Sequence, residues 1–256
     1  MNLDNYQQSI NMNKNIVVIT AMAGLVDISY KEYCLNTWKY WCDKNDVQLF
    51  VLDEPLTDTS LMKPTWQRWH VFDVLDANNI DYNQVALIDV DTMIKWDAPN
   101  FFEETNGQLS VGVDNDNVGW VKQSIDGYQK YFKDVHFDWT TYFNCGVIVL
   151  SKQYKPLCKQ ITDFWYANQE QLIHDQTTIR KGTDQTPVNY ITRQSGFAIN
   201  YLDKKWNLTH LNRKEILQNF MFVDCGYIWH FNGFDKELRE DVMRQTWNTF
   251  KRNYEN

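Results

Sequence analysis

Val85-Ala86-Leu87-Ile88-Asp89-Val90-Asp91 is the stretch that decides how the chain is read. Four apolar residues in a row predict a strand buried on both faces, and two carboxylates spaced i and i+2 leave its carboxyl end together, where they can share one cation. Upstream, Ile16-Val17-Val18-Ile19 predicts a first strand, followed by a loop with the small residues Ala21, Ala23 and Gly24. Between them, Tyr30, Tyr33, Cys34, Trp38, Trp41 and Cys42 recur at helical spacing, so an amphipathic helix is expected. Residues 47–52 read as a second strand and residues 66–75 as a second helix, with Trp66, Trp69 and Phe72 on one side.

The order β-α-β-α-β predicts an α/β fold: a mostly parallel central sheet, helices on both faces, and ligands outside the carboxyl ends of the strands. Further on, residues 109–113 and 145–150 read as strands, and residues 157–172, 187–193 and 238–250 as helices. There is no internal repeat or Pro/Gly/Ser-rich linker, and the chain has only ten glycines and five prolines. One domain over residues 1–256 is expected, with residues 1–14 poorly ordered.

Composition excludes several classes. The 256 residues, 43% of them hydrophobic and 23% charged, suffice for a large core. A formal charge of -8 and the lack of a lysine and arginine run argue against nucleic acid. Residues 1–15 are polar and Asn-rich, unlike a secretory signal. No apolar run approaches the roughly 20 residues of a transmembrane segment. The five cysteines contain no CxxC pair, which argues against a disulfide framework and a structural zinc. A soluble, cytoplasmic protein is expected. Asn207-Leu208-Thr209 is formally a glycosylation acceptor, which matters only in a secreted chain.

Asp-x-Asp is a short motif, and aspartate is frequent enough here for it to arise by chance. A second copy, Asp114-Asn115-Asp116, also follows an expected strand, so the triplet alone does not choose the site. The order of further motifs does. Arg68 in Trp66-Gln67-Arg68 comes first, then Asp89-Val90-Asp91, Tyr142-Phe143-Asn144-Cys145-Gly146-Val147 and Asp184-Gln185. His230-Phe231-Asn232-Gly233-Phe234-Asp235-Lys236 comes last.

Over roughly residues 60–240 this order resembles glycosyltransferase family 8, the retaining transferases that include bacterial lipopolysaccharide galactosyltransferases and glycogenins. The resemblance implies a GT-A fold, a Rossmann-like nucleotide-diphospho-sugar transferase architecture. It implies transfer of a hexose from UDP-glucose or UDP-galactose to a glycan, lipid-linked or protein acceptor. Asp89, Asp91 and His230 would hold Mn2+ or Mg2+, and manganese suits a mixed oxygen and imidazole set. Arg68, Asp89, Val90, Asp91, Asp114, Asn144, Gly233 and Lys236 would bind the donor. Gly233 would let the backbone approach the diphosphate, and Lys236 would supply positive charge.

By the same resemblance Gln185, Asp184 and Asn144 would be catalytic. Asn144 and Gln185 would face the transferred sugar, Asp184 and Asp114 would bind its hydroxyls, and Arg68 would hold a carboxylate or a donor oxygen. Front-side attack and a transient covalent sugar both remain open, with Gln185 nearest the far face of the anomeric carbon. Two departures stand out. Glu237-Leu238 replaces the Pro-Trp that often follows the late lysine, and Thr20-Ala21-Met22-Ala23-Gly24 lacks the acidic and asparagine residues that hold the nucleoside.

Plainer readings stand beside these. His230 between Trp229 and Phe231 fits a packed core histidine, and Thr183 or Asp184 with Pro187 fits a helix start. Trp120, Trp139, Tyr142, Trp206 and Trp229 offer flat faces for sugar rings or for the core. Two rival functions are a phosphohydrolase and a carbohydrate-binding protein without turnover. Residues 87–92 resemble the aspartate-nucleophile motif of the haloacid dehalogenase group. That group carries it on the first strand, whereas two β-α units precede it here and Met93 replaces its usual Thr or Val.

Overall fold

Two interleaved sets of apolar side chains on the same strands account for the layering. The computed structural model describes residues 14–22 and 28–255. Its strands are β1 (Ile16–Thr20), β2 (Gln48–Leu52), β3 (Gln84–Asp89), β4 (Thr92–Ile94), β5 (Leu109–Val113), β6 (Phe143–Ser151), β7 (Ile199–Leu202) and β8 (Ile228–His230). Six of them form one sheet in the order β2-β1-β3-β6-β5-β7. β2, β1, β3, β5 and β7 run in one direction and β6 opposes them.

Val17, Ile19, Ala86, Ile88, Val147 and Val149 face one side of this sheet. Ile16, Val18, Val85, Leu87, Ile148 and Leu150 face the other. Burial on both faces is what makes these strands continuous apolar runs rather than alternating ones. The helix Lys31–Lys44 buries Trp38 and Trp41 in the first core. The helices Val71–Ala77 and Lys155–Ile179 cover the second. Among the described residues no helix is long and apolar enough to cross a membrane.

The sheet's direction places the chemistry. β3 and β5 are parallel in sense, so Asp89 and Asp114 leave the sheet at the same edge. β6 opposes them, so Asn144 near its start arrives at that edge too. The remaining pair, β4 and β8, forms a small antiparallel ribbon with Thr92 opposite His230. Phe231 N–H donates to Asp91 O at 2.8 Å and extends that pairing back to the β3 end.

The expected α/β architecture is present, with several local differences. The helix expected over 66–75 is three pieces, Pro64–Gln67, a tighter turn Arg68–His70, and Val71–Ala77. The helix expected over 157–172 runs Lys155–Ile179. The stretch between Asp116 and Trp139, to which the sequence assigned no element, contains the helix Val118–Tyr128, whose Gly119 and Gly127 weaken the helical signal. Residues 1–13, Ala23 and Gly24, which carried expectations of poor order and of a loop, lie outside the described residues.

Trp41 anchors the first core. Its ring stacks on Phe101 with centroids 4.9 Å apart, and its Nε1–H donates to Ala98 O at 3.0 Å. Trp41→Ala is expected to cost about 3–5 kcal/mol, read as a lowered urea midpoint in equilibrium unfolding followed by circular dichroism.

Candidate active site

Asp89 closes β3, Asp91 follows two residues later, and the β4–β8 ribbon delivers His230 beside both. His230 Nε2 lies 3.2 Å from Asp91 Oδ1 and 3.9 Å from Asp89 Oδ2. The three ligand atoms fall within 4.8 Å of one another, and among the described residues this is the one such group able to hold a metal ion. The second triplet separates instead. Asp116 is ion-paired with Lys204, while Asp114 turns into the cavity.

Gly146 has a steric reason to be glycine. A Cβ there would sit 2.2 Å from His230 Cε1, so the bare backbone of β6 is what lets the imidazole reach the carboxylates. Gly233 has a different one. Its φ is +73°, in the left-handed region, while nothing crowds the place a side chain would take.

The carboxylates are set among cations. Arg68 is 2% exposed, with Nη1 2.5 Å from Asp89 Oδ1 and Nη2 2.7 Å from Asp184 Oδ2. Trp69 Nε1–H also donates to Asp184 Oδ2 at 3.0 Å. Burial disfavours the Arg68 charge, and Asp184 and Asp89 outweigh it, holding the guanidinium above its ordinary range. Burial raises Asp89, and the neighbouring Asp91 charge adds to this against Arg68. Burial also works against Asp91, but His230 and Arg239 outweigh it and hold that carboxyl below its usual range. His230 is the counterpart: burial opposes its charge, yet Asp91 and Asp89 hold its pKa above 6.5.

Arg239, which sequence reasoning missed, is 3.1 Å from Asp91 Oδ2 and donates to the Tyr30 hydroxyl at 3.2 Å. It lies on the helix Lys236–Phe250, one turn beyond Lys236. Lys236 itself is exposed and does not line the cavity. The spacing of three residues on a helix was the available signal that one face carries both cations.

At the other side of the two carboxylates a cavity of about 410 Å³ opens, lined among others by Asp114, Asn144, Asp184, Gln185, Trp120 and Gly233. Asn144 Nδ2–H donates to Asp114 Oδ2 at 3.2 Å and to Gln185 Oε1 at 3.1 Å. Gln185 Nε2–H donates to Asp114 Oδ2 at 3.1 Å, and Cys145 N–H donates to Gln185 Oε1 at 3.1 Å. His210 Nε2, also missed, lies 3.4 Å from Asp114 Oδ1. Burial would raise Asp114, but these partners, His210 first, hold it below the usual range.

Val90 lines a neighbouring, more apolar cavity of about 280 Å³ with Asp89, Asp91, Tyr30, Thr20 and Met22. Asp184 precedes the helix Gln185–Gln194 without a side-chain capping bond, because its carboxylate is spent on Arg68 and Trp69. Of the aromatic candidates, Trp120 lines the cavity, whereas Tyr142, Trp206 and Trp229 are core.

No protein-family model matches the chain, and no curated protein matches it significantly. Solved structures do resemble it. A glycosyltransferase involved in the glycosylation of the major capsid of PBCV-1 superposes with a TM-score of 0.58 at 10% identity, over 91% of this chain and 99% of that one. The galactosyltransferase LgtC in complex with donor and acceptor sugar analogs gives 0.47 at 11% identity, over 92% and 99%. The first likeness, together with the sheet described above, defines the architecture: the chain has the GT-A glycosyltransferase fold.

Gly146→Ala is expected to displace the imidazole from the two carboxylates and to weaken any Mn2+ binding by the three side chains at least about tenfold, measured by titration calorimetry, with the far-ultraviolet circular dichroism unchanged.

Proposed function

We propose that this chain is a metal-dependent, retaining glycosyltransferase, one domain over its whole length, that moves a hexose from UDP-glucose or UDP-galactose to a glycan, lipid-linked or protein acceptor in the cytoplasm. The observation that carries the reading is the convergence of Asp89, Asp91 and His230 at the carboxyl end of β3, beside a polar cavity, on a GT-A fold.

The donor atoms fit the ion. Two carboxylates and one imidazole suit Mn2+, or Mg2+ less well, and His230 Nδ1 is engaged by Asn207 at 3.0 Å so that Nε2 faces the carboxylates. When bound, the ion supplies a Lewis acid that neutralises charge on the departing diphosphate. Arg68 holds Asp89 in place for it, and Arg239 sets a fixed cation beside Asp91. Gly233 admits the diphosphate to the backbone, and Lys236 adds charge from the first turn of its helix.

Asn144, Gln185 and Asp114 form one hydrogen-bonded cluster whose remaining capacity meets the sugar hydroxyls, with Asp184 behind them. Gln185 Oε1 already accepts two N–H bonds, and Asp184 is ion-paired with Arg68. Both facts favour direct front-side attack by the acceptor hydroxyl over a covalent sugar on either side chain. Val90 and Tyr30 line the more apolar cavity beside the carboxylates, which suits a nucleoside base. A phosphohydrolase reading fits less well, because Asp89 ends the third strand of the chain and is held by a buried arginine.

A screen of nucleotide-diphosphate sugars with Mn2+ or EDTA, reading released nucleoside diphosphate, tests this without knowledge of the acceptor. Manganese-dependent release from one donor is expected, and Asp89→Ala should lower it about 100-fold or more. Phosphate release from simple monoesters, or no turnover together with no donor-induced thermal shift, would overturn the reading.

A further inference from the structure

Asn207, the first residue of the formal glycosylation triplet, is 2% exposed and so cannot carry a glycan in the folded protein. Its surroundings give it other work. Leu208 N–H donates to Ile228 O at 2.9 Å and His230 N–H donates to Leu208 O at 3.0 Å, so the backbone locks Asn207 in register with β8. The Asn207 Cβ also lies 3.0 Å from where a side chain on Gly112 would begin, which seats it against β5.

The polarity of its amide is determined by a chain of bonds that starts at a group with no freedom. Gly146 N–H, a backbone donor, binds Asn144 at 2.7 Å, so the atom it meets must be the amide oxygen. That oxygen also takes a bond from Asn207 at 3.0 Å, so Asn207 must present its NH2 there. The Asn207 oxygen therefore points the other way, to His230 Nδ1 at 3.0 Å, and only an Nδ1–H can satisfy it.

We infer that Asn207 is the positioning residue of the candidate metal centre: it relays the direction of the Gly146 N–H through Asn144 to His230, keeping a proton on Nδ1 and Nε2 turned toward Asp89 and Asp91. The same relay ties the metal ligand to the side chains proposed to face the sugar, because Asn144 also donates to Asp114 and Gln185. A ligand histidine is oriented by what its other nitrogen binds, and loss of such a partner typically weakens metal binding 10–100-fold. The inference rests on the metal reading above only for its consequence; the Nδ1–H bond to Asn207 is a property of the protein alone.

Two measurements on the full chain test it. In ¹⁵N-labelled metal-free protein the His230 Nδ1–H should be seen as a hydrogen-bonded proton that exchanges slowly with water, and Asn207→Leu, close in size but without the amide, should lose that signal. Calorimetric Mn2+ affinity should fall about 10–100-fold in Asn207→Leu. Asn207→Asp, which still offers an oxygen to Nδ1–H but sets its second oxygen against Asn144 Oδ1, should recover only part of that loss. No protected Nδ1–H in the wild type, or equal Mn2+ affinity in wild type and Asn207→Leu, would overturn the inference. Wild-type protein that has the protected Nδ1–H but binds no Mn2+ would support the relay and sink the metal reading instead.

Discussion

A guanidinium withdrawn from water loses several kcal/mol of hydration, and carboxylates must surround it closely to offset that loss. Arg68 meets this condition with Asp89 on one nitrogen and Asp184 on another. The pairing joins the short turn Arg68–His70, the end of β3 and the start of the helix Gln185–Gln194 at a single point. Without the arginine, Asp184 would be a buried charge with only Trp69 for company, and Asp89 would lose the partner that aims it. The tight 3-10 turn fits this duty, since it directs Arg68 inward where a regular helix was expected.

Electrostatic design follows from that contact. Asp89 and Asp91 stand close together in a poorly hydrated place, a repulsive arrangement, and His230 and Arg239 balance them from the far end of the chain. Their tendencies are opposite: burial holds Asp89 up, while His230 and Arg239 hold Asp91 down. Around this charged centre the cavity is lined by amides such as Asn144 and Gln185, by Thr65 and Thr183, by the further carboxylates Asp114 and Asp184, and by the Trp120 ring.

How much of this was legible in the sequence depended on range. β1, β3 and β5 announce themselves because both faces are buried and each needs a local apolar run. β4 and β8 have three residues each and exist by pairing with one another, so no local pattern marks them. The proximity of His230 to Asp91 was accordingly reached through family resemblance, while the geometric reason, the room left by Gly146, appears only in three dimensions. Lys236 drew attention through its motif, yet Arg239 one turn later is the cation on Asp91. Asn207 stands out in the sequence only as the start of a formal glycosylation triplet, because hydrogen bonds to residues 63 and 23 positions away leave no trace in spacing.

The account turns on one claim, that the end of β3 and the β4–β8 ribbon hold a divalent ion. Crystals grown with millimolar manganese and measured at the manganese absorption edge test it most directly. The account predicts a single strong anomalous peak in coordination distance of Asp89, Asp91 and His230 Nε2. A peak placed at Asp114 and Asp116, or no peak near the three side chains in well-ordered crystals, would contradict it.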